Sequence, residues 1–295
     1  MSEHDMRRPR AWERWGEGDQ LGALNLLTPE RVLAALRIPK TGRVYRLGLL
    51  LDAGVPLIAG RTAPQHFMTS DGGDYVARGR SHGTMIADDF LAMGPSVGTH
   101  IDSLAHVWHD GLMYGGVPGT EVRSSGAKRN GIENAGAVVA RGVLLDIAAH
   151  QGVEILPESF EIEPALLESC SSAQGVEVGA ADVVLLRTGW LRAYQPNTRW
   201  EFREPGIGLA AARWLAERDV CVVGADNAGI EVTPVSGTTA VPVHVELLRD
   251  RGIYLLEMCT LDELSHDRAY EFLFVASPLA IDGGIASPLQ PLAII

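Results

Sequence analysis

The chain has 295 residues, of which 46% are hydrophobic and 21% are charged, and this is ample for the packed core of one large domain or two small ones. Its formal net charge of −12 argues against binding to nucleic acid or to an anionic membrane surface, and we interpret the acidity mainly as a solubility feature. Three widely separated cysteines, Cys170, Cys221 and Cys259, indicate neither a disulfide framework nor a zinc knuckle.

The N-terminal stretch "MSEHDMRRPRAWERWGEGDQ" is polar and lacks the apolar core of a signal peptide. No apolar run of the sequence is long enough to span a bilayer. We therefore expect a soluble protein of a reducing cytoplasm, with a small molecule rather than nucleic acid or a membrane as its partner. Residues 1–20 are expected to form an N-terminal arm, and its tryptophans, Trp12 and Trp15, should dock on the body or on a partner subunit.

The first predicted element is a helix in "LTPERVLAALR", which Thr28 can cap and in which Pro29 suits the first helical position. The segment "RVYRLGLLL" then predicts a strand. Residues 52–97 are rich in Gly, Asp and Pro and show little periodicity. Such a long irregular stretch is typical of a lid or of the wall of a site.

After residue 130 the pattern becomes regular. Strands are predicted in "AVVARGVLLDIA", where a turn at Gly142 stays open, and in "ADVVLLRTG", "VCVVGAD", "IYLLEM" and "YEFLFVA". Helices are predicted between them in "PALLESC", "GLAAARWLAERD" and "VHVELLRDRG". This alternation predicts an α/β fold with a largely buried sheet. Since no internal repeat or clear linker is present, residues 21–295 are expected to form a single domain.

Several common site motifs are missing from the sequence or lack the structural context they need. It contains no GxxxxGK[ST] phosphate loop, and no predicted strand leads into a GxGxxG. The segment "GPSVG" at residues 94–98 matches GxSxG, but it lies at the end of the irregular stretch and not between a predicted strand and a predicted helix, so it does not form an elbow for a nucleophilic serine. These motifs therefore give no support to a nucleotide site or to a serine hydrolase of that type.

Three histidines and two aspartates fall within eleven positions of the segment "GTHIDSLAHVWHD". If "THIDSLAH" is extended, His100 and Asp102 point to the same face, and their side chains suit zinc, manganese or another first-row divalent ion. His106 lies on that side if the chain stays extended, or swings over the site if "SLA" turns, and its imidazole could then move a proton. His109 and Asp110 fit ordinary surface residues.

The segment "GTHIDSLAH" resembles the signature HxGTHxDxPxH of the cyclase family of metal-dependent hydrolases, which includes kynurenine formamidase, isatin hydrolase and trans-dienelactone hydrolase. Other segments are similar to that family in the same order, namely "RWGEGDQLGALNLLTPERV", "DGLMYGG", "VGADNAGIEV" and "VHVELLRDRGIYLLEMCTLDEL". The resemblance implies a single α/β domain of the swivelling β/β/α type seen in kynurenine formamidase-like proteins.

The resemblance also implies roles for individual residues. His100 and Asp102 match metal ligands, and His106 matches a histidine that transfers protons. His244 and Glu257 match a second pair that returns to the metal centre. Glu257 also ends the apolar run "IYLLE", where a buried carboxylate needs a partner such as a cation. The implied cofactor is a divalent metal ion, Zn or Mn, with the choice between one ion and two left open.

Ser96 stands where the family motif normally has a histidine, four positions before His100. A serine hydroxyl is a far weaker ligand for zinc. Three outcomes stay open: the centre holds a single metal, a histidine from elsewhere such as His82 or His66 replaces the missing ligand, or metal binding is weakened or lost.

The implied function is hydrolysis of a cyclic amide, an N-formyl amide or an enol lactone through a metal-bound hydroxide. Trp108, Tyr114 and Asp226 are expected in the substrate pocket, with Phe67 and Phe90 as further candidates for an apolar wall. Two alternatives remain, a cyclase or dehydratase of secondary metabolism and a binding protein with a degraded metal site. The resemblance further implies a homodimer or a homotetramer.

Overall fold

The structure is a computed structural model that describes residues 11–58, 60–77, 84–194, 203–235 and 237–295. Over these residues the strands are β1 (Val44–Arg46), β2 (Gln65–Ser70), β3 (Asp88–Ala92), β4 (His100–Asp102), β5 (Val122–Arg123), β6 (Gly126–Ala127), β7 (Val138–Asp146), β8 (Glu161–Ile162), β9 (Val183–Arg187), β10 (Gly206–Ile207), β11 (Val222–Ala225), β12 (Tyr254–Glu257), β13 (Glu271–Ala276), β14 (Ala286–Pro288) and β15 (Leu292–Ile294).

The α-helices over the same residues are α1 (Pro29–Ala35), α2 (Gly72–Ala77), α3 (Ile147–His150), α4 (Pro164–Gln174), α5 (Trp190–Ala193), α6 (Leu209–Ala216), α7 (Pro242–His244) and α8 (Asp262–His266). A π-helix, Val245–Asp250, continues directly from α7. Short 3₁₀ turns cover Ala11–Arg14, Gly22–Leu26, Tyr114–Gly116, Gly119–Glu121 and Ile132–Asn134. None of the helices over the described residues is long and apolar enough to cross a membrane.

Within the described part of the chain, nine strands form one sheet in the order β1-β15-β13-β7-β9-β11-β12-β4-β14. Its centre, from β7 through β9 and β11 to β12, is parallel, and the strands on either side of it are antiparallel. Every residue of β9, β11 and β12 is buried, as expected for continuous apolar runs. The prediction of an α/β fold is confirmed, and the swivelling β/β/α type stays a prediction.

Strand β7 runs through Gly142 without a break, so the turn that the sequence left open there does not occur. Phe272 of β13 is the residue paired with Gly142. Its ring lies across the glycine, where a Cβ atom would overlap it. The glycine therefore serves close packing of an aromatic ring within the sheet and does not end the strand.

The sheet is strongly curled, because β14 and β15 lie near opposite ends of the strand order although only residues 289–291 separate them. A link of that length spans at most about 14 Å, whereas seven strand spacings in a flat sheet would need about 34 Å. Backbone hydrogen bonds hold residues 289–291 to two other segments of the chain. Leu289 N donates to Thr99 O, and Leu47 N donates to Pro291 O.

Residues 52–97 contain more regular structure than their composition predicts. Strands β2 and β3 pair with each other as a separate two-stranded sheet, with Phe67 opposite Phe90. Their ring centroids are 5.1 Å apart, and both rings are about half exposed. This hairpin is therefore an apolar surface feature and not part of the main core.

At the N-terminal end, Trp15 packs partly buried against the main core, and Arg14 forms an ion pair with Asp219 at 2.6 Å. The side chain of Trp12 lies outside the described residues. Trp15 therefore docks on the body of the same chain, which is one of the two arrangements expected from the sequence. The division into an arm, residues 1–20, and a catalytic domain, residues 21–295, stays a prediction.

Candidate metal centre

Two neighbouring antiparallel strands carry three of the predicted ligands. His100 and Asp102 lie on β4, and Glu257 lies on β12 directly opposite His100. Ile101, between the first two, is in the main hydrophobic core, so the alternation of side chains places His100 and Asp102 on the other face. His100, Asp102 and Glu257 are almost completely buried.

The other two predicted residues reach the same place from outside the strands. His244 is the last residue of α7 and is buried. His106 is placed by a turn, in which its backbone N–H donates to Ser103 O. The segment "SLA" therefore forms a turn and does not stay extended, and this turn places the imidazole of His106 over the site.

Each carboxylate of the cluster faces more than one histidine. Glu257 Oε2 is 3.1 Å from His100 Nε2, and Glu257 Oε1 is 3.3 Å from His244 Nε2. Asp102 Oδ1 is 3.8 Å from His100 Nε2. Asp102 Oδ2 is 3.9 Å from Nε2 of both His106 and His244. Two groups of donors result, and within each group all ligand atoms lie within 4.8 Å of one another.

The donor atoms fit a divalent cation. Among the described residues, both oxygens of Asp102 are buried without a hydrogen-bond partner, and His100 Nε2 is buried facing the carboxylate of Glu257. Such atoms are costly unless an ion satisfies them. The Nδ1 atoms of His100 and His244 lie 2.8 Å from Gly98 O and 2.6 Å from Glu231 Oε1. Because both partners are acceptors, Nδ1 carries the proton, and the lone pair of Nε2 can then bind an ion.

The buried histidines and carboxylates of the cluster shift one another's pKa. Burial lowers the pKa of His244, but the carboxylates of Glu231 and Glu257 outweigh burial and raise it to about 10. Burial likewise opposes the charged form of His100, yet Glu257 and Asp102 raise its pKa. Burial raises the pKa of Glu257, but the two histidines lower it more. A cation bound here would replace these imidazole protons.

His66, one of the two histidines proposed to replace the missing motif histidine, does not join the cluster. Ser96 is partly buried, and its backbone carbonyl accepts a hydrogen bond from Arg61. His66 is on the exposed hairpin, where its Nε2 lies 2.8 Å from Asp89 Oδ2. The structure therefore excludes His66 in this arrangement, and His82 lies outside the described residues. His109, 39% exposed, is a surface residue, as interpreted from the sequence.

The residues expected in the substrate pocket have different surroundings. Trp108 is half exposed. Tyr114 is fully buried, and its hydroxyl donates to Asp19 Oδ2 at 2.7 Å. Asp226 is buried and accepts hydrogen bonds from the backbone N–H groups of Thr188 and Gly189, which fixes the turn after β9. Tyr114 and Asp226 thus have packing and turn-forming contacts, and the pocket role of all three residues stays a prediction.

Glu231 is a member of the site that the sequence did not predict. Its carboxylate is buried and contacts His244. A signal for it was present, because Glu231 stands between apolar Ile230 and Val232 just as Glu257 ends an apolar run. A carboxylate in such a context needs a partner.

Comparisons with known proteins identify similar folds and the family of the chain. A crystal structure of a novel cyclase is similar with a TM-score of 0.90 and 36% identity, over 98% of this chain and 100% of that chain. Isatin hydrolase from Roseibium aggregatum is 24% identical over 224 residues, which cover 73% of this chain and 77% of the relative. An isatin hydrolase bound to the product analogue thioisatinate has a TM-score of 0.65 at 20% identity, over 92% of this chain and 97% of that one. The family model for cyclases matches residues 45–232, well over half of the sequence, and this protein therefore belongs to the Cyclase family.

Proposed function

We propose that this protein is a metal-dependent hydrolase that opens an amide or lactone bond, with a cyclic amide, an N-formyl amide or an enol lactone as substrate. The observation that carries the proposal is the convergence of buried nitrogen and oxygen donors from His100, Asp102, His244 and Glu257. The similarity to isatin hydrolase supports ring opening of an amide as the reaction type.

In this proposal His100, Asp102, His244 and Glu257 hold a zinc or manganese ion, for which their nitrogen and oxygen donors are suited. A divalent ion, when bound, supplies water that is acidic enough to lose a proton near neutral pH. His106 is the member of the cluster with solvent access, since its side chain is 27% exposed. It is placed to take a proton from the attacking water and to deliver it to the leaving nitrogen or oxygen.

Two other functions compete with this one. A binding protein with a degraded metal site is less well supported, because the donors of His100 and Asp102 remain buried and aimed at one point although Ser96 replaces the motif histidine. A cyclase or dehydratase would use the same centre in a different reaction. Screening formyl-anilines, isatin-like lactams and enol lactones separates it from a hydrolase, because only the hydrolase consumes water and produces a carboxylate.

Metal removal tests the proposed function. We expect the purified protein to contain close to one or two equivalents of Zn or Mn by elemental analysis. Chelation should abolish turnover, and either metal should restore it.

Asp102→Asn should lose both metal and activity, because one oxygen that faces the donors becomes an amide nitrogen. His109→Ala, on the surface outside the cluster, is the matched control and should retain both. Full turnover by metal-free protein would refute the proposal.

We further propose that the protein is a cytoplasmic homodimer or homotetramer. The apolar hairpin of β2 and β3 supports self-association, because a two-stranded sheet with exposed Phe67 and Phe90 is only marginally stable by itself in water.

A further inference from the structure

We infer that Glu231 is a positioning residue of the metal centre, which fixes the proton on Nδ1 of His244 and thereby aims Nε2 of His244 at the ion. The inference rests on the proposed function, since it presupposes that His244 binds a metal. It adds a residue to the five that the family resemblance assigned to the metal centre, namely His100, Asp102, His106, His244 and Glu257.

The contact between the two side chains is short and buried. Glu231 Oε1 lies 2.6 Å from His244 Nδ1, and the two side chains are only 3% and 7% exposed. The other carboxylate oxygen, Oε2, accepts a hydrogen bond from the backbone N–H of Val243 at 3.2 Å. Glu231 therefore fixes both the imidazole and the short helix that carries it. A carboxylate behind a ligand histidine sets its tautomer and raises the basicity of the nitrogen that faces the metal.

The chain places Glu231 through an unusual backbone conformation. Ile230, the preceding residue, has a φ of +62°, which is strained for a β-branched side chain. Asn227 maintains this conformation, because its Oδ1 accepts from Ile230 N and its Nδ2 donates to Pro205 O, both at 2.8 Å. Asn227 is completely buried, so water does not compete for these bonds.

The neighbouring strand β10 fixes the backbone of Glu231 from the other side. Ile207 N donates to Ile230 O, and Val232 N donates to Ile207 O, each at 3.1 Å. Gly206 allows this approach, since a Cβ atom there would lie 2.5 Å from the carbonyl carbon of Glu231. The position of Glu231 is therefore determined by several independent contacts.

Charge explains why a carboxylate at this position favours a metal. Asp102, Glu231 and Glu257 are three buried acids close to His100 and His244. With both imidazoles neutral, as metal binding requires, the three carboxylates carry three negative charges in a buried volume. A divalent ion neutralises most of this charge, in place of the imidazole protons that offset it when no ion is bound.

The test compares zinc affinity and the cobalt spectrum of the full-length parent with those of Glu231→Gln and Glu231→Ala. Zinc affinity is measured in competition with a chromophoric chelator, and cobalt(II) absorption reports the geometry of the ligands. We expect affinity to fall by about tenfold for Glu231→Gln and by up to about 100-fold for Glu231→Ala, with an altered cobalt spectrum. Glu231→Gln is nearly isosteric and keeps the test valid should Glu231→Ala fail to fold.

Two controls distinguish positioning from general stability. Glu246→Gln removes another buried acid, which pairs with Arg213 and Arg251, and it should leave zinc affinity at the parent value. In a His244→Ala background, Glu231→Gln should have no further effect on affinity. Parent-like affinity and an unchanged cobalt spectrum in both Glu231 variants would overturn the inference while the proposed function stands. A parent protein that binds no metal would overturn both.

Discussion

The three histidines of the candidate centre differ in the hydrogen bonding of Nδ1, the ring nitrogen that faces away from the other ligands. His100 and His244 each commit Nδ1 to a buried acceptor, Gly98 O and Glu231 Oε1. His106 does not, because its Nδ1 has no hydrogen-bond partner among the described residues. Its ring is thus not fixed from behind and is partly exposed, which suits a group that exchanges protons with solvent better than it suits a metal ligand.

His106→Ala tests this distinction. We expect kcat to fall by about 100- to 10,000-fold, because proton transfer by a positioned imidazole contributes about that much. The metal content, measured by elemental analysis on the same samples, should not change. His100→Ala, in contrast, should lose the metal together with activity. Undiminished turnover in His106→Ala would contradict the role assigned to this residue, and loss of its metal would identify it as a ligand.

Whether two site residues could be paired from the sequence depends on how many positions separate them along the chain. His100 and Asp102 are two positions apart, so the alternation of strand side chains was enough to pair them. The choice of Glu257 required an apolar context and a family resemblance. Glu231 contacts His244 across a loop with no regular periodicity, so no local pattern indicated that the two side chains meet.

Among the elements, the buried parallel strands were the easiest to predict. The apolar runs around β9, β11 and β12 are buried along the whole of each strand, as their composition predicts. The predicted strand in "RVYRLGLLL" is limited to β1, Val44–Arg46. Beyond it, Leu47 bonds to Pro291 and Thr260, so its partners come from distant parts of the chain that no local pattern reveals.

At the level of paired elements, Asp182 joins β7 to the turn that leads into β9. Its Oδ2 accepts from Arg141 of β7 and from the backbone N–H of Gly179, both at 2.7 Å. Burial raises the pKa of Asp182, and although Arg141 opposes this, the pKa is raised to about 6 from 3.8. The folded state therefore holds this proton more tightly than the unfolded state does.

This shift predicts a pH dependence of stability with a definite sign. The contribution of Asp182 to the free energy of unfolding is fully present below pH 3.8 and is lost as pH rises through about 6. We expect the free energy of unfolding of the parent, minus that of Asp182→Asn, to fall by about 3 kcal/mol over this range. Urea unfolding of both proteins at constant ionic strength measures it. A difference that does not change with pH would contradict the prediction.

For the whole molecule, the alternating pattern predicted the α/β class, but it did not predict the curled sheet. The curl depends on β14 and β15, two three-residue strands in a Pro-containing segment that has no strand periodicity of its own. They form because β4, β13 and β1 offer unpaired edges. Such pairings are decided by the assembled sheet and not by local sequence.

The hairpin of β2 and β3 leads to a prediction about assembly. We expect the protein to have the mass of two or four chains in light scattering. Replacing Phe67 and Phe90 by serine should shift the population toward the monomer, because the apolar surface that self-association would bury is then polar. Leu279→Ser, at an exposed apolar position outside the hairpin, is the control and should not shift it. A monomeric parent would contradict the prediction.

The place of β4 in the sheet also bears on how the protein is made. Its two neighbours, β12 and β14, are translated more than 150 residues after it. While the ribosome is still elongating the chain, His100 and Asp102 therefore lie on a nascent segment that has no strand to pair with. Under the proposed function, ion capture follows the emergence of these strands from the exit tunnel, and chains stalled before Tyr254 should carry no bound metal.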